Sequence, residues 1–130
     1  MTPPRIPASD GHAAVLEVLG GFDTPSATQP ANTISRPTLA LAVRYLLQQF
    51  ADAHPGHAVE VRVPPLGAVQ AVEGPRHTRG TPANVVELAP TEWVLLATGR
   101  VAWTDLVRAA KLSASGVRSD ISELLPLAEW

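Results

Sequence analysis

Arg76, His77, Thr78, Arg79 and Thr81 stand together in the stretch GPRHTRGTPA, from Gly74 to Ala83. Guanidinium forks, hydroxyls and free backbone N–H groups are what a phosphate or carboxylate requires, and two glycines and two prolines shape the loop that carries them. Arg76, His77 and Arg79 are therefore the candidate anion or head-group residues. A solvated hairpin loop that is merely basic has the same composition. The chain contains neither GxxxxGK[ST] nor GxGxxG, so no nucleotide motif supports a more specific reading.

His77 can act as a general base near neutral pH, with Glu73 or Glu87 close enough in a hairpin to orient it. Against catalysis, the chain has no GxSxG elbow, no HExxH helix and no cysteine, which removes hydrolase, zincin and thiol chemistry together. His54 and His57 are three apart but are separated by Pro55 and Gly56, and no third ligand follows them, so no metal site is expected. No catalytic residue and no cofactor are assigned.

The elements that position these groups fit one ordinary core. At 130 residues the chain reads as a single domain with an N-terminal tail. Apolar residues make up 45% and charged residues 17%, as in a globular protein with an aliphatic interior. A net charge of −2 argues against a general nucleic-acid binder. Nine arginines against one lysine match the codon usage of a GC-rich bacterial genome better than a designed anion bias. The N-terminal apolar run is too short and too interrupted to read as a signal peptide, and no run of roughly 18 consecutive apolar residues occurs, so a cytoplasmic protein without a membrane span is expected.

Residues 1–34 form an arm: a proline-rich start, a short helix opened by Ser9 or Asp10 and closed at Gly20 and Gly21, then a Pro/Ser/Thr/Asn linker. The main domain is placed at 35–130. Ser35 opens its clearest helix, with Pro37 in the first turn. Leu39, Val43, Leu46, Leu47 and Phe50 line one face, and Arg44, Gln48 and Asp52 lie opposite. Ala58 to Val63 and Ala68 to Glu73 alternate as two strands of a hairpin around Pro64, Pro65 and Gly67.

The stretch from Asn84 to Gly116 packs strand, helix, helix and strand into one unit. Val85 to Leu88 is the first strand, stopped by Pro90. Thr91 caps a helix carrying Trp93 to Ala97 and ended by Gly99, Thr104 to Ala110 forms a second helix, and Leu112 to Ser115 returns as a strand. Ser119 or Asp120 then opens a last helix, with Glu123 at the capping-box position and Pro126 after it. The expected fold is α+β: a small, mainly antiparallel sheet of four to five strands covered on one face by helices.

The wording ANVVELAPTEWVLLATGRVAWTDLVRAAKLSASGVRSDISELLPL resembles the C-terminal half of the sterol carrier protein type-two superfamily. The matching features are a strand, a leucine-rich helix ending in a Gly-basic pair at Gly99 and Arg100, a short helix, a strand ending at Gly116, and a last helix. Within the superfamily the chain looks most like the bacterial sterol carrier family proteins common in actinobacteria. More distantly it resembles the C-terminal domain of mycothiol-dependent maleylpyruvate isomerases. The resemblance implies an apolar tunnel between sheet and helices that holds acyl chains, sterols or other lipids. Leu39, Val43, Leu46, Leu47 and Phe50 would line it from the long helix, and Val94, Leu95 and Leu106 from the two helices after Pro90, which would form a lid over the sheet. The family has three strands before the one at residue 85 where this chain signals two, and it offers no catalytic motif to carry over.

The leading reading is a non-catalytic carrier of a lipid or other apolar small molecule. Enclosing an acyl chain removes apolar surface from water at roughly 25 cal/mol per Å², enough for about micromolar affinity after ordering costs. The alternative is an accessory module that docks on an enzyme or self-associates, with the 74–83 loop as an anion site. Trp93 and Trp103, which flank the Gly99 turn, would serve there as interface anchors. Core packing competes for both, since each sits in an apolar run.

Overall fold

The computed structural model describes residues 4–22, 34–74, 84–128 and 130. The element order is α1 (Ala8–Gly20), α2 (Arg36–Ala53), β1 (Val59–Val63), β2 (Gly67–Ala71), β3 (Val85–Leu88), α3 (Pro90–Ala97), α4 (Trp103–Arg108) and β4 (Leu112–Ser115), followed by a 3-10 turn at Ser122–Leu124. The basic stretch from residue 75 to 83, with Arg76, His77 and Arg79, lies outside the described residues.

The four strands form one sheet in the order β2-β1-β3-β4. β1 pairs antiparallel with β2, placing Val61 opposite Val69, and β3 pairs antiparallel with β4, placing Val86 opposite Ala114. β1 and β3 run parallel, with Val61 opposite Val86. The fold is thus α+β with a mainly antiparallel sheet. The parallel pair arises because β3 returns on the far side of β1 from β2, which leaves β2 and β4 as the edges.

Period-two burial makes the sheet one-sided. Val59, Val61 and Val63 are buried and alternate with half-buried Glu60 and Arg62, which pair with each other on the outer face. α2 packs on β2, and α1 and α3 pack on α2 and on each other. Trp93 seals the α2–α3 seam. It is fully buried, its Nε1 donates to the Val43 carbonyl at 3.3 Å, and its ring meets Phe50 edge-on at 6.1 Å. At the α1–α2 crossing, a Cβ on Gly11 would lie 2.1 Å from the Tyr45 ring, so only glycine permits that approach.

α2 starts as expected: Ser35 Oγ accepts the Thr38 amide at 3.3 Å, and Pro37 sits in the first turn. α3 starts earlier than expected. Pro90 is its first residue, after Ala89 as N-cap, whereas Thr91 was expected to cap and Pro90 to stop the strand. Proline lacks only an N–H that has no helical partner at that position, and its φ is already helical. α1 also starts earlier, at Ala8 behind Pro7, without a side-chain cap. The expected last helix is a single 3-10 turn. Asp120 accepts the Ser122 amide at 3.0 Å, and hydrogen bonding from the Ser122 side chain, with this backbone bond second, holds its carboxyl below the usual carboxylate value. No helix among the described residues is long and apolar enough to cross a membrane.

Candidate functional site

α2 is long enough to present two useful faces. One carries Val43, Leu46 and Phe50 into the core, with none of the three exposed. The other recurs through Thr38, Leu41, Arg44, Gln48, Ala51 and Asp52, at three- and four-residue steps, and borders a groove of about 1130 Å³. Three further segments complete the groove: the arm Pro4–Pro7, the α1 face at Asp10, Ala13, Ala14 and Glu17, and the turn into β2 at Leu66–Val69. Its apolar lining includes Ile6, Ala14, Leu41, Leu47, Leu66 and Val69.

Charged groups ring this apolar lining. The Arg5 guanidinium donates to both Asp52 carboxylate oxygens, at 3.2 and 2.6 Å, and this hydrogen-bonded pairing raises its pKa further above the ordinary value. Gln48 meets the Ile6 backbone twice: Ile6 N–H donates to Oε1 at 2.9 Å, and Nε2 donates to the Ile6 carbonyl at 3.0 Å. Arg44 Nε donates to the Leu66 carbonyl at 2.7 Å, which aims its guanidinium along the turn into β2. Asp10 and Glu17 supply negative charge from the α1 wall.

Of the eight residues expected to line a tunnel, Leu47 borders the groove. Val43, Leu46, Phe50, Val94 and Leu106 belong with Leu47 to the buried core cluster, Leu95 is buried at 1% exposure, and Leu39 is partly buried against that core. The expected head-group residues Arg76, His77 and Arg79 lie outside the described residues. Glu73 and Glu87, weighed as orienting carboxylates for His77, are both exposed.

His12 stacks on Trp130 at 4.5 Å, His54 tilts against Phe50 at 5.1 Å, and His57 Nδ1 lies 2.7 Å from Gln70 Oε1. Among the described residues, no group of three or more His, Asp or Glu side chains is placed to hold a metal ion.

Sequence reading missed the groove because Arg44, Gln48 and Asp52 read as a wet helix face. The signal that could have exposed it is the mixed character of that stripe, in which Leu41 and Ala51 interrupt the polar residues. Leu41 is partly buried there, packed against the core cluster.

A search among curated proteins finds no match. Residues 35–127, from the Ser35 cap through the turn after β4 to Leu127, match the family described as bacterial SCP ortholog, SCP standing for sterol carrier protein. The chain belongs to the bacterial SCP ortholog family.

Proposed function

We propose that the chain is a non-catalytic binder of a lipid or comparable apolar small molecule, held in the groove between the N-terminal arm, α1, α2 and β2. The observation that carries this reading is the groove itself: about 1130 Å³, with apolar residues at its walls and charged groups at its rim. That combination suits an amphiphile, whose tail is removed from water while its polar end stays near solvent. Membership of a sterol-carrier family supports the same class.

Two sets of arginines can meet an anionic head group. Arg44 stands at the groove, and Arg76 and Arg79 with His77 remain the proposal made from their clustering. The variants Arg44→Ala and Arg76→Ala/Arg79→Ala separate them: the true contact weakens a carboxylate-bearing probe and leaves its methyl ester unaffected.

Native mass spectrometry of the purified chain and titration with a fluorescent long-chain fatty acid test the proposal. Saturable one-to-one binding at about micromolar Kd is expected. Leu41→Arg, which places a charge at the groove wall, is expected to weaken it roughly ten-fold or more, whereas Val107→Arg on exposed α4 leaves it unchanged. Absence of both co-purified lipid and probe binding would sink the carrier reading.

A further inference from the structure

The groove wall formed by Pro4–Pro7 is attached differently from the rest of the molecule. α1 is anchored by Val15 and Val18, neither of them exposed. The arm before it rests on one partly buried side chain, Ile6, and on two side chains of α2. Gln48 pairs with both backbone groups of Ile6, as one peptide unit pairs with another in a sheet. Four residues further along α2, Asp52 takes the Arg5 fork at the surface, at side-chain exposures of 51% and 69%.

The flanking residues limit what else can hold the arm. Pro4 and Pro7 have no N–H, so within Pro4–Pro7 only Arg5 and Ile6 can donate from the backbone. Pro7 is fixed at φ −60°, ψ 144° and leads directly into α1. A segment with one partly buried apolar anchor, two part-buried hydrogen bonds and an exposed ion pair opens at lower cost than the helix behind it, which two fully buried valines hold.

We infer that the arm Pro4–Pro7 is a strap clipped to α2 by Gln48 and Asp52, and that its release opens the groove to ligand. The strap rests on the carrier reading for its cargo but not for its motion. Its clip is graded: the Ile6–Gln48 pair sets register, and the exposed Arg5–Asp52 pair is weakened by salt.

The chain has no cysteine, so Ala51→Cys at the groove wall supplies a single thiol whose reaction with a disulfide reagent reports access under the strap in the full-length protein. Gln48→Ala changes no charge beside that thiol and removes both Ile6–Gln48 hydrogen bonds while leaving the Arg5–Asp52 pair in place. It is expected to speed labelling roughly five- to thirty-fold, the range corresponding to one to two lost net hydrogen bonds. The cooperative melting transition should be retained. Release of a bound fluorescent fatty acid, followed by stopped flow, is expected to quicken by a similar factor.

Labelling that is equally fast with and without Gln48 overturns the strap, whatever the probe does. Faster labelling with unchanged probe release also overturns it, since the strap would then not control the ligand. Faster labelling in a protein that binds no fatty acid upholds the strap and defeats the carrier reading instead.

Discussion

The Asn84 side chain, 4% exposed, donates from Nδ2 to the Ala58 carbonyl at 2.8 Å and accepts the Arg118 amide on Oδ1 at 2.9 Å. Its own carbonyl accepts the Glu60 amide at 3.0 Å. One residue thus ties the start of β3 to the start of β1 and to the chain leaving β4. Aspartate has the same shape, but when ionised it has no donor for Ala58 and sets a negative charge against that carbonyl. Asn84→Asp is therefore expected to cost about 2 kcal/mol at pH 7. Burial and the facing carbonyl raise the folded-state pKa of the new carboxyl, and the protonated acid can donate to Ala58 as the amide did. The penalty is full above that raised value and shrinks as pH falls toward the unfolded value of about 4. Urea denaturation at pH 7 and pH 4.5 measures it, and an equal loss at both would remove the hydrogen-bond explanation. None of this was legible in the sequence, where Asn84 merely opened a strand-like stretch, because its side-chain partners lie 26 and 34 residues away.

At the scale of elements, α3 and α4 end by the same device with different residues. After α3, Arg100 N–H donates to the Leu95 carbonyl at 2.8 Å and Gly99 N–H to Leu96 at 3.2 Å, with Gly99 at φ 80°. After α4, Lys111 N–H donates to Leu106 at 2.9 Å and Ala110 N–H to Val107 at 3.1 Å, with Ala110 at φ 57°. Both are Schellman endings, and both need a left-handed residue, which costs an alanine roughly 1 kcal/mol that a glycine avoids. Ala110 is exposed, so its methyl contributes little packing in return. Ala110→Gly is expected to stabilise the protein by about 1 kcal/mol and raise Tm by roughly 4 °C. A calorimetric Tm that stays level or falls would contradict the assignment. The same comparison explains what could be read in advance. Gly99 announced its stop through residue type, and Ser35 with the spacing from Leu39 to Phe50 announced α2. Ala110 carried no such mark, and the pairing of β1 with β3 depends on contacts between segments more than 20 residues apart. The groove was hidden for a related reason: its wall on α2 is completed by Arg5 and Ile6, 47 and 42 residues from their partners.

At the scale of the whole molecule, the match to the family begins at residue 35, yet the core does not. Ala14, Val15 and Val18 of α1 are buried in the same cluster as Val43, Leu46 and Phe50 of α2. Trp130, near the far end of the sequence, stacks on His12 and donates from Nε1 to Gln49 Oε1 at 3.0 Å, which binds the C-terminal segment to α1 and α2 together. α1 therefore contributes to the groove twice, as a wall and through its packing against the α2 helix that forms the facing wall. A fragment of residues 35–130, drawn at the boundary that composition alone suggests, loses two fully buried valines and uncovers Tyr45, which is 4% exposed in the full chain. At about 1.5–3 kcal/mol for each buried aliphatic side chain, the loss is roughly 3–6 kcal/mol, a large share of the 5–15 kcal/mol of a typical domain. Urea denaturation of the two lengths under the same conditions should show a much lower midpoint for the fragment, with light scattering revealing association through the uncovered α2 face. Equal midpoints would establish residues 35–130 as a self-sufficient domain and reduce α1 to an accessory. If the midpoints differ as expected, the groove belongs to a domain that begins with the arm, and the strap at Pro4–Pro7 is part of its architecture.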